Sequence, residues 1–179
     1  ESLQARDYSF QTVVDFIRSP KDKTIILRHD VDRLPGNAMR MATLEQELGV
    51  VATYYFRVVP ESWDEGVIRE IAGLGHEVGY HYECLATTLE RVRSLEGKKV
   101  RKKKIRRIEG EKVSEKQEQR ARAFEAAYED FCGNLERLRA IVPVRTVCMH
   151  GSPLSRVSNL DLWERYDYRD LEIIGEPYL

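Results

Sequence analysis

The sequence predicts an α/β domain built on a parallel, barrel-like sheet. Three observations carry this reading. Stretches rich in β-branched and aromatic residues alternate with stretches whose apolar residues recur at helical spacing. The connections between them are short, which argues for right-handed strand–helix–strand units. Polar residues with chemical potential gather at the carboxyl ends of the strand-like stretches, the side on which α/β folds place their sites.

With 179 residues the chain is long enough for one substantial core and short for two ordinary domains, so a single domain over 1–179 is expected. A charged fraction of 33%, a hydrophobic fraction of 42% and a net charge of -1 give no overall electrostatic pull toward nucleic acid or membrane. No apolar run approaches the roughly 20 residues that span a bilayer, and no basic-then-apolar signal pattern opens the chain. The chain starts at Glu1 without a Met, as a processed product or a fragment would. Cys84, Cys132 and Cys148 include no Cys-x-x-Cys pair, so reduced, mostly buried thiols and a reducing, cytoplasmic compartment are expected.

In chain order, a short helix is expected over about 11–18, stopped by Ser19-Pro20. Thr24 to Asp32 reads as a buried strand that ends on His29, Asp30 and Asp32 just before Pro35-Gly36. Ala38, Met41, Ala42, Leu44 and Leu48 fit the inner face of a helix closed by Gly49. Val50 to Val59 is a second strand, rich in β-branched and aromatic residues. Ser62 and Glu65 have capping-box spacing before a helix with Val67, Ile68, Ile71, Ala72 and Leu74 inside and Gly75 at its end. His76 to Glu83 is a third strand.

The alternation then breaks at a charged helical segment, 86–140, whose basic peak at 98–107 holds eight Lys or Arg in ten residues. A long amphipathic helix is expected over about 114–140, with Phe124, Tyr128, Phe131, Leu135 and Leu138 along one face. Val144 to His150 reads as a fourth strand, Asn159 to Tyr166 as a short helix capped by Asn159, and Leu171 to Ile174 as a fifth strand.

Side chains alternate along a strand, so Asp30 and Asp32 share one face and His29 takes the other. Two carboxylates side by side repel unless a cation, a proton or a basic side chain lies between them. A metal site or an acid/base pair is one reading of this ending. The other is a strand that simply runs into a polar turn. His81 and Glu83 also share a face, and His150 closes the fourth strand. Carboxylates and imidazoles converging at strand ends suit a divalent metal, zinc first among them.

Thr24 to Asp32, Ala52-Thr53-Tyr54-Tyr55-Phe56 and Leu74-Gly75-His76-Glu77-Val78-Gly79-Tyr80-His81 together resemble the opening half of the polysaccharide deacetylase (NodB-homology, carbohydrate esterase family 4) domain. The resemblance covers about 24–83, with looser similarity from 143 onward. It implies a distorted (β/α) barrel that removes acetyl groups from N-acetylated sugars with a bound divalent metal. By position it makes Asp30 the catalytic base and Asp32 and His81 metal ligands. A second metal histidine is expected four residues after His81, where this chain has Leu85. Met149-His150-Gly151-Ser152-Pro153 matches a later motif, and His150 could supply the missing imidazole. Glu83, His29 and Arg57 are further candidates for a ligand or substrate contact, and Trp163 for a sugar contact. The closing strands of that barrel have no counterpart before Leu179, so an incomplete barrel with an open edge and some self-association is expected.

Two other functions compete. A degenerate member of the same family would hold a carbohydrate or a partner without turnover, as Leu85 suggests. A nucleic-acid-binding surface could form on 98–107, but that run lacks stacking aromatics and is followed by glutamates, so a solvated helix face or loop is the plainer account.

Overall fold

The computed structural model describes residues 3–100, 109–151 and 157–179. The chain divides into two compact units. The first comprises Glu1–Tyr82, Asn134–Met149 and Asp167–Leu179, and the second Glu83–Gly133 and His150–Tyr166.

In the first unit the elements follow as β1 (Ser9–Phe10), α1 (Val13–Arg18), β2 (Thr24–Ile25), β3 (Arg28–Val31), α2 (Pro35–Glu47), β4 (Thr53–Phe56), α3 (Glu65–Gly73) and β5 (Glu77–Tyr82). After the excursion through the second unit comes β6 (Val147–Met149). Strands β3, β4, β5 and β6 lie side by side in that order, all parallel, in a curled half-barrel sheet. The α/β class and parallel strands expected from the sequence are therefore present.

The expected strand over 24–32 is two strands in two sheets. Thr24–Ile25 pairs with β1, whereas Arg28–Val31 pairs with β4. The backbone changes partner at the break: Gln11 N–H donates to the Ile25 carbonyl at 3.2 Å, and Thr53 N–H donates to the Leu27 carbonyl at 2.9 Å. The expected fifth strand is also different. Tyr168–Leu171 is a 3-10 turn ended by Glu172 at φ 56, and only Gly175 bridges back, in parallel, to Thr146. A left-handed residue ends the turn before an extended run can build.

β4 is buried on both faces, with Thr53, Tyr54, Tyr55 and Phe56 all sealed from solvent, as the central strand of a covered parallel sheet must be. α3 buries Ile68 and Ile71, each worth about 1.5–3 kcal/mol relative to exposure. Its cap is Asp64, whose carboxylate accepts from Val67 N–H at 3.1 Å, in place of the expected Ser62. Ser62 is fully buried and ties loops together: its hydroxyl donates to the Val31 carbonyl and accepts from Arg57 N–H.

α2 has a different inner face from the one expected. Ala42 and Glu45 are buried, while Met41, Leu44 and Leu48 are exposed. Glu45 can face inward because polar groups meet it there: Tyr54 Oη donates to one carboxylate oxygen at 2.5 Å, and His29 Nε2 lies 2.6 Å from the other.

The second unit contains α4 (Cys84–Val100), the part of α5 (Glu109–Arg139) up to Gly133, and the 3-10 segment Asn159–Glu164. α5 bears out the amphipathic helix read from the sequence. Phe124 and Phe131 are buried in its second-unit part, and Leu135 and Leu138 in the part that returns to the first unit. Ser158, not Asn159, caps the 3-10 segment; Asn159 instead binds Ala86 N–H at 3.0 Å and the His150 carbonyl at 2.8 Å. Of the basic run at 98–107, residues 101–107 lie outside the described residues, as do Ser152 and Pro153. Among the described residues no helix is long and apolar enough to cross a membrane.

Candidate functional site

Directly paired residues of a parallel ladder face the same way. The register pairs Arg28 with Thr53, Asp30 with Tyr55, Thr53 with Glu77, Tyr55 with Gly79, and His81 with Cys148. One face of the first unit's sheet therefore carries Arg28, Asp30, Thr53, Tyr55, Glu77, Gly79, His81 and Cys148. The opposite face carries His29, Tyr54 and Phe56.

The lower layer of the polar face is closed by hydrogen bonds. Glu77 accepts from Val14 N–H and from the Thr53 hydroxyl, each at 2.9 Å, and from the Thr146 hydroxyl. Tyr55 Oη donates to Thr146 Oγ1 at 3.0 Å, which completes a Tyr55–Thr146–Glu77 relay. Burial pushes the Glu77 carboxyl and the Tyr55 phenol above their ordinary ranges.

At the carboxyl ends of the strands the groups are potential metal donors. His81 is buried, and its Nδ1 lies 2.9 Å from the Cys148 carbonyl oxygen. A carbonyl can only accept, so Nδ1 carries a proton, and in the neutral imidazole Nε2 keeps the lone pair. Nε2 stands 3.5 Å from Asp32 Oδ1. A histidine whose far nitrogen is anchored on a backbone carbonyl is oriented as metal-bound histidines are. Donor atoms of Asp30, His81 and Cys148 also lie within 4.8 Å of one another. The residues present thus fit a divalent cation by donor chemistry as well as by position.

The charges around these donors are balanced within the unit. Arg28 binds Asp30 Oδ2 at 3.1 Å, donates to Tyr178 Oη at 3.0 Å and lies over the Tyr178 ring. Burial, reinforced by the carboxylates of Asp30 and Glu176, pushes the Cys148 thiol well above its ordinary range. Glu176 is itself buried, and burial raises its carboxyl to about 7.

The first unit therefore brings Asp30, Asp32 and His81 together. Arg57 is adjacent to them, its Nη1 3.4 Å from the Asp32 carbonyl. His29 is not among them: it turns to α2, against Glu45, with its ring 4.6 Å from that of Tyr54. The remaining expected residues belong to the second unit. There His150 accepts through its carbonyl from Asn159, Glu83 accepts through its carbonyl from Thr87 N–H, and Trp163 packs edge-on against Phe131 at 4.9 Å. Leu85, at the position where a metal histidine was expected, is fully buried.

Cys148, Arg28 and Glu176 were missed by the sequence reading. Cys148 was within reach of the period-two rule, since it lies two residues before His150 on the strand expected over 144–150. Arg28 likewise lies two residues before Asp30. Glu176 carries no such signal, because it follows a turn and an isolated bridge. No protein-family model matches this chain, and no curated protein matches it.

Proposed function

We propose that the first unit is the catalytic core of a metal-dependent amide hydrolase that removes the acetyl group from an N-acetylated sugar. The observation that carries this reading is the set of His81, fixed in one tautomer by the Cys148 carbonyl, with Asp32 against its Nε2 and Asp30 on the same sheet face. Asp32 and His81 would hold a divalent cation, zinc by the chemistry of the donors. When bound, such an ion polarises the acetamide carbonyl and acidifies a coordinated water.

The chain's own residues do the rest. Asp30 accepts the proton of the attacking water, and Arg28 keeps its carboxylate oriented through the bond at Oδ2. Arg57, adjacent to Asp32, offers a cationic group to substrate oxygen atoms.

Metal analysis and acetate release test this. Purified protein should hold a stoichiometric divalent metal, lose it in His81→Ala, bind it more weakly in Asp32→Ala, and release acetate from N-acetylglucosamine oligomers. Protein that binds no metal, or keeps it in both variants, refutes the reading. The buried Leu85 favours a second reading, a carbohydrate-binding module of the same fold without turnover. Oligosaccharide binding with no stoichiometric metal and no acetate released would establish that one.

A further inference from the structure

We propose that Asp30, His81 and Cys148 form a second, inner seat for a thiophilic divalent cation, in competition with the seat that Asp32 and His81 provide. The proposal rests on the hydrolase reading for the outer seat alone; the inner one is argued from its own donors.

His81 and Cys148 are paired across adjacent strands β5 and β6, so their side chains leave the same face at neighbouring positions. The Nδ1 bond to the Cys148 carbonyl ties the imidazole to the residue that would supply the sulfur. Asp30 comes from β3, two strands from β5, and the curl of the sheet brings it across the concave face. As a result one oxygen, one nitrogen and one sulfur lie within 4.8 Å of one another. His81 is 3% exposed and Cys148 fully buried, while Asp30 on β3 is exposed and leaves the set open to an incoming ion. The thiol's bond within the protein is a long contact of 3.7 Å to the Met149 carbonyl, which is cheap to give up.

Carboxylate, imidazole and thiolate in one set select zinc, cobalt or cadmium over magnesium or calcium. Binding exchanges the thiol proton, released to solvent, for a metal–sulfur bond. Both seats need the same imidazole, so they cannot be filled together. Occupation of the inner seat also takes the Asp30 carboxylate away from proton transfer. Excess thiophilic metal therefore inhibits the hydrolase by moving the ion inward.

Cobalt(II) titration of the full chain tests this by absorbance, independently of turnover. Wild-type protein and the Cys84→Ser/Cys132→Ser double variant should both develop the near-ultraviolet thiolate-to-cobalt charge-transfer band. Cys148→Ser and Cys148→Ala, checked for folding by circular dichroism, should lack it. Asp32→Ala should retain it, and Asp30→Asn should weaken the affinity read from it by about 10-fold or more. Cobalt bound without the band, and lost in Asp32→Ala, overturns the inner seat and leaves the outer one standing. A band that persists in the Cys148 variants also overturns it. The band, with no acetate released from any acetylated sugar by protein assayed before cobalt is added, supports the inner seat and removes the hydrolase reading, whereas protein that binds no cobalt overturns both.

Discussion

Tyr55 lies over Gly79 so closely that a Cβ at residue 79 would stand 2.3 Å from the Tyr55 ring. The two residues are register partners on β4 and β5, and the missing side chain of one is the space the other fills. The ring cannot easily retreat, because it is fully buried and its hydroxyl is bound to Thr146. Gly79→Ala should therefore destabilise the protein by about 1–3 kcal/mol through overpacking. Denaturant unfolding measures this, and Tyr55→Leu in the same chain should recover part of the loss. An unchanged midpoint for Gly79→Ala would contradict the close packing.

Ser62 joins the end of β3 to the loop after β4 through one hydroxyl, and both of its backbone partners lie beside the candidate site. Ser62→Ala leaves the Val31 carbonyl and the Arg57 N–H without that partner in a buried setting. The expected cost is about 1–3 kcal/mol. Amide exchange should also quicken at Arg57, and unaltered protection there would show that the hydroxyl is dispensable.

Glu45 faces inward because Tyr54 and His29 meet it. Tyr54→Phe removes one donor from that buried carboxylate and should cost about 1.5–3 kcal/mol by thermal or chemical unfolding. A loss below a few tenths of a kcal/mol would mean that water replaces the phenol.

Glu176 sets a pH dependence whose sign follows from its raised carboxyl. Arg28, Tyr82 and the N–H groups of Tyr178 and Met149 are the groups around it, and burial outweighs their combined effect. The folded state holds the proton more tightly than the unfolded chain. Its contribution to stability is therefore complete below the ordinary value of 4.5 and is lost as pH rises through about 7. A shift of that size corresponds to between about 3 and 4 kcal/mol. Glu176→Gln should thus gain on the wild type between pH 4.5 and 7.5, as read from paired urea titrations. Parallel pH curves for the two proteins would show that the carboxyl titrates normally.

Asp30 and Asp32 should separate chemistry from binding. Asp30→Asn is expected to keep metal at the outer seat while kcat falls by about 100-fold or more, whereas Asp32→Ala empties that seat and loses the activity. Equal metal loss in both variants would make Asp30 a ligand first and remove it as the base.

The alternation of strand and helix was legible because it rests on local periodicity. β4 and β5, the buried face of α5 and the polar ends of β3 and β5 all follow from spacing along the chain. The shared face of Asp30 and Asp32, and His29 on the other side, follow from the same two-residue rule. What spacing does not encode is where a backbone changes partner. The single strand expected over 24–32 is split between two sheets for that reason, and the strand expected at 171–174 is reduced to one bridge.

The sequence by itself determined the class of the fold and the residue types at the strand ends, because periodicity, propensity and side-chain chemistry are properties of the chain. Only the tertiary structure decided that α2 buries Glu45 in place of its leucines, that Cys148 stands with His81 and Asp30, and that Glu176 is sealed among them. Those outcomes depend on the curl of the sheet and on hydrogen-bond partners far apart in sequence. A polar side chain becomes cheap to bury only once the folded chain has brought it a partner.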